Sequence, residues 1–189
     1  QIVKGIQASK KAIVVFVSPS GSRAASAGAF ITIAAHVAAM APGTNIGSAS
    51  PVNMGKEMGK TMENKVTNDA AAYMRSLATL RTRNPDIAEK FVREAYNLPA
   101  KEALERNVID LVAKNIPDLL KQINGKKIKT ATGEKVLSTD GNGVLSFVTV
   151  SGEGGGSGTA TDINVNANNS TDENVFITFV DGATGTQSI

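Results

Sequence analysis

A chain of 189 residues with 41% hydrophobic residues is long enough to bury a core of its own. The absence of cysteine excludes a disulfide framework, a thiolate metal site and a cysteine nucleophile, and a single histidine excludes a multi-histidine metal centre. The net charge of +3 hides a division: residues 1–135 hold all 20 Lys and Arg with 11 acids, whereas residues 136–189 hold six acids and no base.

The chain opens on Gln1 inside an apolar-periodic segment, without an initiator Met or a signal peptide, which reads as a fragment whose beginning is missing. "AIVVFVS" (12–18) is a continuous β-branched run, the signature of a strand covered on both faces in a parallel sheet. After the turn "PSGS", the alanine-rich "AASAGAFITIAAH" (24–36) predicts a helix, and "VAAMAP" (37–42) a second strand ended by Pro42-Gly43. Strand, turn, helix and strand make a βαβ unit and a mainly parallel sheet.

Residues 43–60 predict a long loop rich in Gly, Ser and Lys. In "MENKVTNDAAAYMRSLATL" (62–80), Val66, Ala70, Tyr73, Leu77 and Leu80 recur at three and four and define one helical face. Asn84-Pro85 reads as a cap and first turn opening the helix "PDIAEKFVREA". A short helix "PAKEALERN", a strand "VIDLVA" (108–113) and a helix "IPDLLKQIN" stopped by Gly125 complete a layered α/β unit.

Ser26 stands where strand, turn and helix could deliver a nucleophile, since first-turn N–H groups lack intrahelical partners and can stabilise an oxyanion. It lacks the full Gly-x-Ser-x-Gly pattern, and a serine among alanines is more often a packing residue, so both readings stay open. His36 is ten residues along the same predicted helix, roughly 15 Å away at about 1.5 Å per residue. That exceeds the ~3 Å reach of a general base, so His36 is expected to be a structural helix-end residue. The base must then be a carboxylate or a lysine of lowered pKa. Among Lys56, Lys60 and Lys65, Lys65 is favoured by an expected place in the first turn of an apolar helix, where the dipole opposes a protonated amine. Spacing alone does not choose it.

The stretch from "VVFVSPSGSRAASAGAF" to "VIDLVA" resembles the NfeD-type membrane-bound serine proteases, relatives of signal peptide peptidase A and of the ClpP class. The motifs S-x-x-A-S-A-G, A-M-A-P-G-T-N-I-G and K-V-T-N-D-A-A-A-Y carry the resemblance, which covers about residues 1–128. It implies a ClpP/crotonase-like α/β fold with a mainly parallel sheet, truncated at its start. It also implies an ATP-independent serine endopeptidase with a Ser26–Lys65 dyad and the Ala27 backbone N–H as an oxyanion donor. No metal and no cofactor are implied. The family's second oxyanion donor, a glycine pair on an earlier strand, would precede Gln1, so this chain is expected to be weakly active or inactive. The resemblance further suggests Gly43, Thr44, Asn45, Ile46 and Gly47 as substrate-binding residues, with simple turn chemistry as the equal alternative. Implied partners are apolar stretches of membrane-associated, stomatin-like proteins and further copies of the chain, in an enzyme held at the extracytoplasmic face of a membrane. Nucleic acid is not expected: aromatic content is 4%, and the basic residues are scattered.

Beyond residue 128 the pattern changes. Residues 129–150 read as a β-hairpin around Asp-Gly-Asn-Gly, 151–158 as a Gly-rich linker and 159–189 as a polar tail, β-rich or disordered, with one strand in "VFITFV". This tail weakly resembles repeat segments of phage tail-fibre and virion proteins. Two other functional classes follow: a crotonase-type acyl-CoA enzyme, which needs no Ser-Lys dyad, and a non-enzymatic virion component assembled through the tail.

Overall fold

The β-branched run forms β1 (Ile13–Val17), in which Val14 to Val17 are wholly buried. The structure is a computed structural model that describes residues 1–51, 59–139, 145–149 and 176–179. β1 pairs in parallel with β3 (Val37–Met40), and β3 in parallel with β6 (Leu111–Val112). On the opposite edge of β1 lies β10 (Phe176–Phe179), also parallel, with Phe176 opposite Ile13 and Phe179 opposite Phe16. The sheet order β10-β1-β3-β6 is therefore parallel throughout, as the βαβ reading requires.

Two apolar cores lie on the two faces of this sheet. Along β3, Ala38 and Met40 join the larger core, while Val37 and Ala39 join the smaller one, the period-2 alternation of a strand covered on both sides. The larger core is built with α1 (Ile2–Ala8), α2 (Ala27–Ala34), α3 (Lys60–Leu80), α4 (Pro85–Arg93) and α5 (Ala100–Glu105). The smaller is closed by α6 (Ile116–Ile123) and by Ile128 and Leu137 of β7 (Lys127–Thr130) and β8 (Gly133–Thr139). β8 pairs antiparallel with β7 and with β9 (Leu145–Thr149). The expected turn residues Asp140 to Gly143, the linker 151–158 and the tail apart from β10 lie outside the described residues.

Local signals at helix ends act as anticipated. Asn84 caps α4, its Oδ1 accepting the N–H groups of Asp86 and Ile87 at 3.1 Å. Gly125, at φ 77°, follows the end of α6.

Four expectations need correction. The helix expected from residue 24 begins at Ala27, because Arg23–Ala25 forms a short strand, β2, and Ser26 has a positive φ that no helix accepts. Inside the expected loop, Asn45–Gly47 forms β4, paired in parallel with β2 and antiparallel with β5 (Asn97–Pro99). The strand expected over 108–113 shrinks to Leu111–Val112, because the N–H of Val108 is drawn to the Ala103 carbonyl at 2.8 Å, closing α5. The buried face of α3 is Ala71, Met74, Leu77 and Ala78, whereas Val66, Tyr73 and Leu80 are at least one-third exposed. Leu77 is common to both stripes, and Ala71, Met74 and Ala78 join it in the larger core where α3 packs on α4 and α2.

Candidate active site

Ser26 ends β2 and caps α2 with φ 52° and ψ −121°, a conformation costly for any residue with a Cβ. Three contacts hold it there. Its N–H donates to the Ser48 carbonyl at 3.1 Å, the Ser48 N–H donates to the Tyr96 carbonyl at 2.8 Å, and the Ser26 carbonyl accepts from Ala29. Ser26 and Ala27 are both exposed, while the Gly28 and Ala29 that follow are buried against the core. As the first residue of α2, Ala27 has no intrahelical acceptor for its N–H, which leaves a backbone donor beside the serine.

The residues from Gly43 to Gly47 form the floor under this elbow. Thr44 is buried and its hydroxyl donates to the Ala41 carbonyl at 2.6 Å, and Ile46 belongs to the larger core. Gly47 has φ 140°, and a Cβ there would collide with the Tyr96 carbonyl oxygen. Only glycine lets β4 approach β5 closely enough to set Ser48 under Ser26.

One turn along α2, Phe30 stacks on Tyr73 of α3, ring centres 6.1 Å apart and planes at 26°. Ala27, Phe30, Ile31 and Tyr73, with Ile2 and Val3 of α1, line an apolar cavity of about 540 Å³ that adjoins the residue after Ser26. Tyr73 counts here through its ring and not through the core, and its place in an apolar stripe gave no signal of that.

Lys65 stands on α3 with its side chain exposed. Because α3 begins at Lys60, Lys65 falls in the second turn and not in the first, beyond the part of the helix where the dipole acts strongly. Lys60 is the first residue of α3, and Lys56 lies outside the described residues. α2 and α3 run side by side in one direction, joined by the Phe30–Tyr73 stack and by a 2.7 Å bond from Arg81 Nε to the Ala34 carbonyl. At about 1.5 Å per residue, Ser26 precedes Phe30 by roughly 6 Å and Lys65 precedes Tyr73 by roughly 12 Å. Both residues therefore lie toward the N-terminal end of the same helix pair.

His36 is at the other end of α2, just past its C-cap Ala35. It is buried, and its Nδ1 accepts the Ile13 N–H at 3.1 Å. Burial first, then the charges of Arg81 and Arg83, lower its pKa to about 4. Beside it, Arg83 donates to the carbonyls of Ile33 and Ala35 at 2.6 and 2.9 Å and to Asp110 at 2.6 Å. Asp110 also accepts the Ala38 N–H at 2.7 Å. The C-terminal carbonyls of α2 are thus satisfied by arginines that follow α3 in sequence, and the helix that starts at Ser26 is clamped at its far end. "RTRNP" carried this anchor unread, because its partners are contributed by distant residues.

Among the described residues no helix is long and apolar enough to cross a membrane, and no cluster of three or more His, Asp or Glu could hold a metal ion.

The membrane-bound protease PH1510 of Pyrococcus horikoshii is 44% identical over 115 residues, which cover 60% of this chain and 26% of that protein. The chain thus spans about a quarter of that relative's length. Among solved structures, a serine-to-alanine mutant of the 1510-N membrane-bound stomatin-specific protease is similar with a TM-score of 0.65 and 38% identity, over 75% of this chain and 69% of that one. A lysine-to-alanine mutant of 1510-N in complex with a substrate peptide gives a TM-score of 0.63 and 32% identity, over 96% of this chain and 69% of the other. The α/β fold, with its parallel sheet and surrounding helices, is that of the 1510-N protease domain. Residues 1–132, which include the β2–α2 junction, α3 and the first three strands of the parallel sheet, match the description "NfeD1b, N-terminal domain", and the chain belongs to that family.

Proposed function

We propose that this domain is an ATP-independent serine endopeptidase of the NfeD type, with Ser26 as nucleophile and Lys65 as general base. The observation that carries the reading is the elbow itself: a solvent-facing serine at φ 52° between β2 and α2, followed by the unpaired N–H of Ala27. Strain of this kind persists only where surrounding structure over-determines it, and it presents the hydroxyl ahead of the backbone. That solved relatives carry a serine-to-alanine and a lysine-to-alanine substitution, the latter with a substrate peptide, supports the choice of residue types.

In this mechanism neutral Lys65 takes the proton of the Ser26 hydroxyl while Oγ attacks the scissile carbonyl. The oxyanion that forms accepts from the Ala27 N–H. Collapse expels the amine, which leaves with a proton from Lys65, and water then repeats the sequence on the acyl-enzyme and frees the acid. The placement of both residues toward the N-terminal end of the α2–α3 pair supports pairing them in this role.

The cavity beside Ala27 favours peptides with large apolar side chains, consistent with a substrate drawn from the apolar segments of membrane-associated, stomatin-like proteins. The test is labelling with a fluorophosphonate probe. Labelling that disappears in both Ser26→Ala and Lys65→Ala is the expected result. Labelling that survives Ser26→Ala removes the serine from the mechanism, and labelling that survives Lys65→Ala removes the lysine.

A further inference from the structure

We propose that the basic cleft at the far end of α2, formed by Arg81, Lys126, Lys127 and Lys129 around His36, is a binding site for a phosphate group. The cleft has a volume of about 230 Å³ and, besides apolar and hydroxyl groups, brings those four cations together with a single carboxylate, Asp110. That carboxylate is already engaged by Arg83 and by the Ala38 N–H, with Lys126 Nζ at 4.0 Å.

Sequence alternation gathers the lysines. In β7, Ile128 and Thr130 are buried, so Lys127 and Lys129 share the opposite, exposed face. Arg81 is held across the cleft by bonds from Nε to the Ala34 carbonyl at 2.7 Å and from Nη1 to the Lys129 carbonyl at 3.2 Å. The carbonyls that end α2 are already taken by Arg81 and Arg83, so the negative end of that helix does not oppose an anion.

His36 supplies an independent sign of a ligand. It lines the cleft, is only 7% exposed, and its Nε2 is buried with no hydrogen-bond partner. Because Nδ1 accepts the Ile13 N–H, the neutral ring carries its proton on Nε2, leaving a donor without an acceptor. A buried donor left in that state is costly, and a ligand oxygen satisfies it. The excess of positive charge selects a multiply charged oxyanion over a single carboxylate, and phosphate offers enough acceptors for several donors at once. The site is separate from Ser26, which lies at the opposite end of α2.

The chain's single histidine makes the test direct. Inorganic phosphate is titrated into the full chain at constant ionic strength while the His36 Nε2–H resonance is followed by NMR. A saturable shift is expected, with affinity lowered about tenfold or more in the exposed-face variant Lys127→Gln/Lys129→Gln. Melting of that variant at the wild-type temperature verifies that its fold is kept. A shift that chloride reproduces, that does not saturate, or that the variant leaves unchanged overturns the proposal. Competition by phosphatidylcholine vesicles containing phosphatidate identifies a lipid headgroup as the source of the phosphate. Competition equal to that of phosphatidylcholine alone identifies the free ion, and the site stands in either case.

Discussion

The backbone N–H of Ser26 donates to the carbonyl of Ser48 across 3.1 Å, and both residues hold a positive φ, 52° and 46°. Two strained positions are therefore braced by one bond. Ser48 is braced in turn by its own N–H on the Tyr96 carbonyl, and this contact depends on Gly47 having no side chain.

Gly47→Ala puts a methyl group against the Tyr96 carbonyl at a φ that L-residues rarely adopt. Overpacking and backbone strain together are expected to destabilise the domain by about 2–4 kcal/mol. Serine-probe labelling should be lost at temperatures well below the melting transition, because the support under Ser26 shifts first. Urea denaturation combined with probe labelling checks both; wild-type labelling in the variant would separate the elbow from its floor.

Ser26→Gly removes the side chain that makes φ 52° unfavourable. Relief of that strain, reduced by the greater entropy of glycine in the unfolded chain, is expected to stabilise the domain by about 1 kcal/mol while labelling is abolished. A serine retained against stability is the expected signature of a functional position. Thermal unfolding of the two proteins decides it, and a lowered melting temperature would mean that Ser26 is set there for packing.

Arg83→Met removes the donor to the Ile33 and Ala35 carbonyls and the guanidinium partner of Asp110, which keeps only the Ala38 N–H and Lys126 at 4.0 Å. Arg83 is buried, so a loss of about 3 kcal/mol or more is expected. In the double variant Arg83→Met/Asp110→Ala part of that loss should return, since the carboxylate deprived of its guanidinium is removed with it. A double-mutant cycle by chemical denaturation measures the coupling, and strict additivity would show that the pair does not act as a unit.

The pH dependence of stability isolates His36. Its imidazole takes a proton near 6.5 in the unfolded chain but only near 4 in the fold, so its contribution is complete above pH 6.5. Between those values the unfolded state binds the extra proton. Stability should therefore fall with falling pH, by up to about 3 kcal/mol by pH 4. His36→Gln should flatten the profile in that window. Denaturation between pH 4 and 8 in a phosphate-free buffer tests this, and identical slopes for both proteins would assign the dependence to other groups.

Much of the fold was legible because its signals are local. The buried run of β1, the Asn84 cap and the Gly125 stop depend on neighbours within a few residues. β2, β4 and β5 were not legible: three-residue strands show no periodicity, and they exist because Arg23–Ala25 and Asn97–Pro99 meet on either side of Asn45–Gly47. The alanines of "AASAGAF" read as one helix because propensity is silent about Ser26, whose φ is imposed by Ser48. Lys65 was favoured by a helix start at residue 62, and the observed start at Lys60 puts it two residues deeper, in the second turn, which weakens the dipole argument. The Arg83–Asp110 anchor and the cavity lined by the stacked Phe30 and Tyr73 arise from pairings far apart in sequence.

Pairing of β10 with β1 has a consequence for how the protein is made. Ile13 and Phe176 are made more than 160 residues apart, yet they are neighbours in the sheet. During synthesis at about 5–20 residues per second, the outer edge of β1 therefore waits several seconds or more for its partner strand. An unpaired parallel edge is a template for foreign strands, and a contact of such long sequence separation forms slowly even once both strands have been made. Closure of this edge is the step at which nascent chains compete with one another, so yield of folded protein should depend on how quickly Phe176–Phe179 follows Ile13–Val17 out of the ribosome.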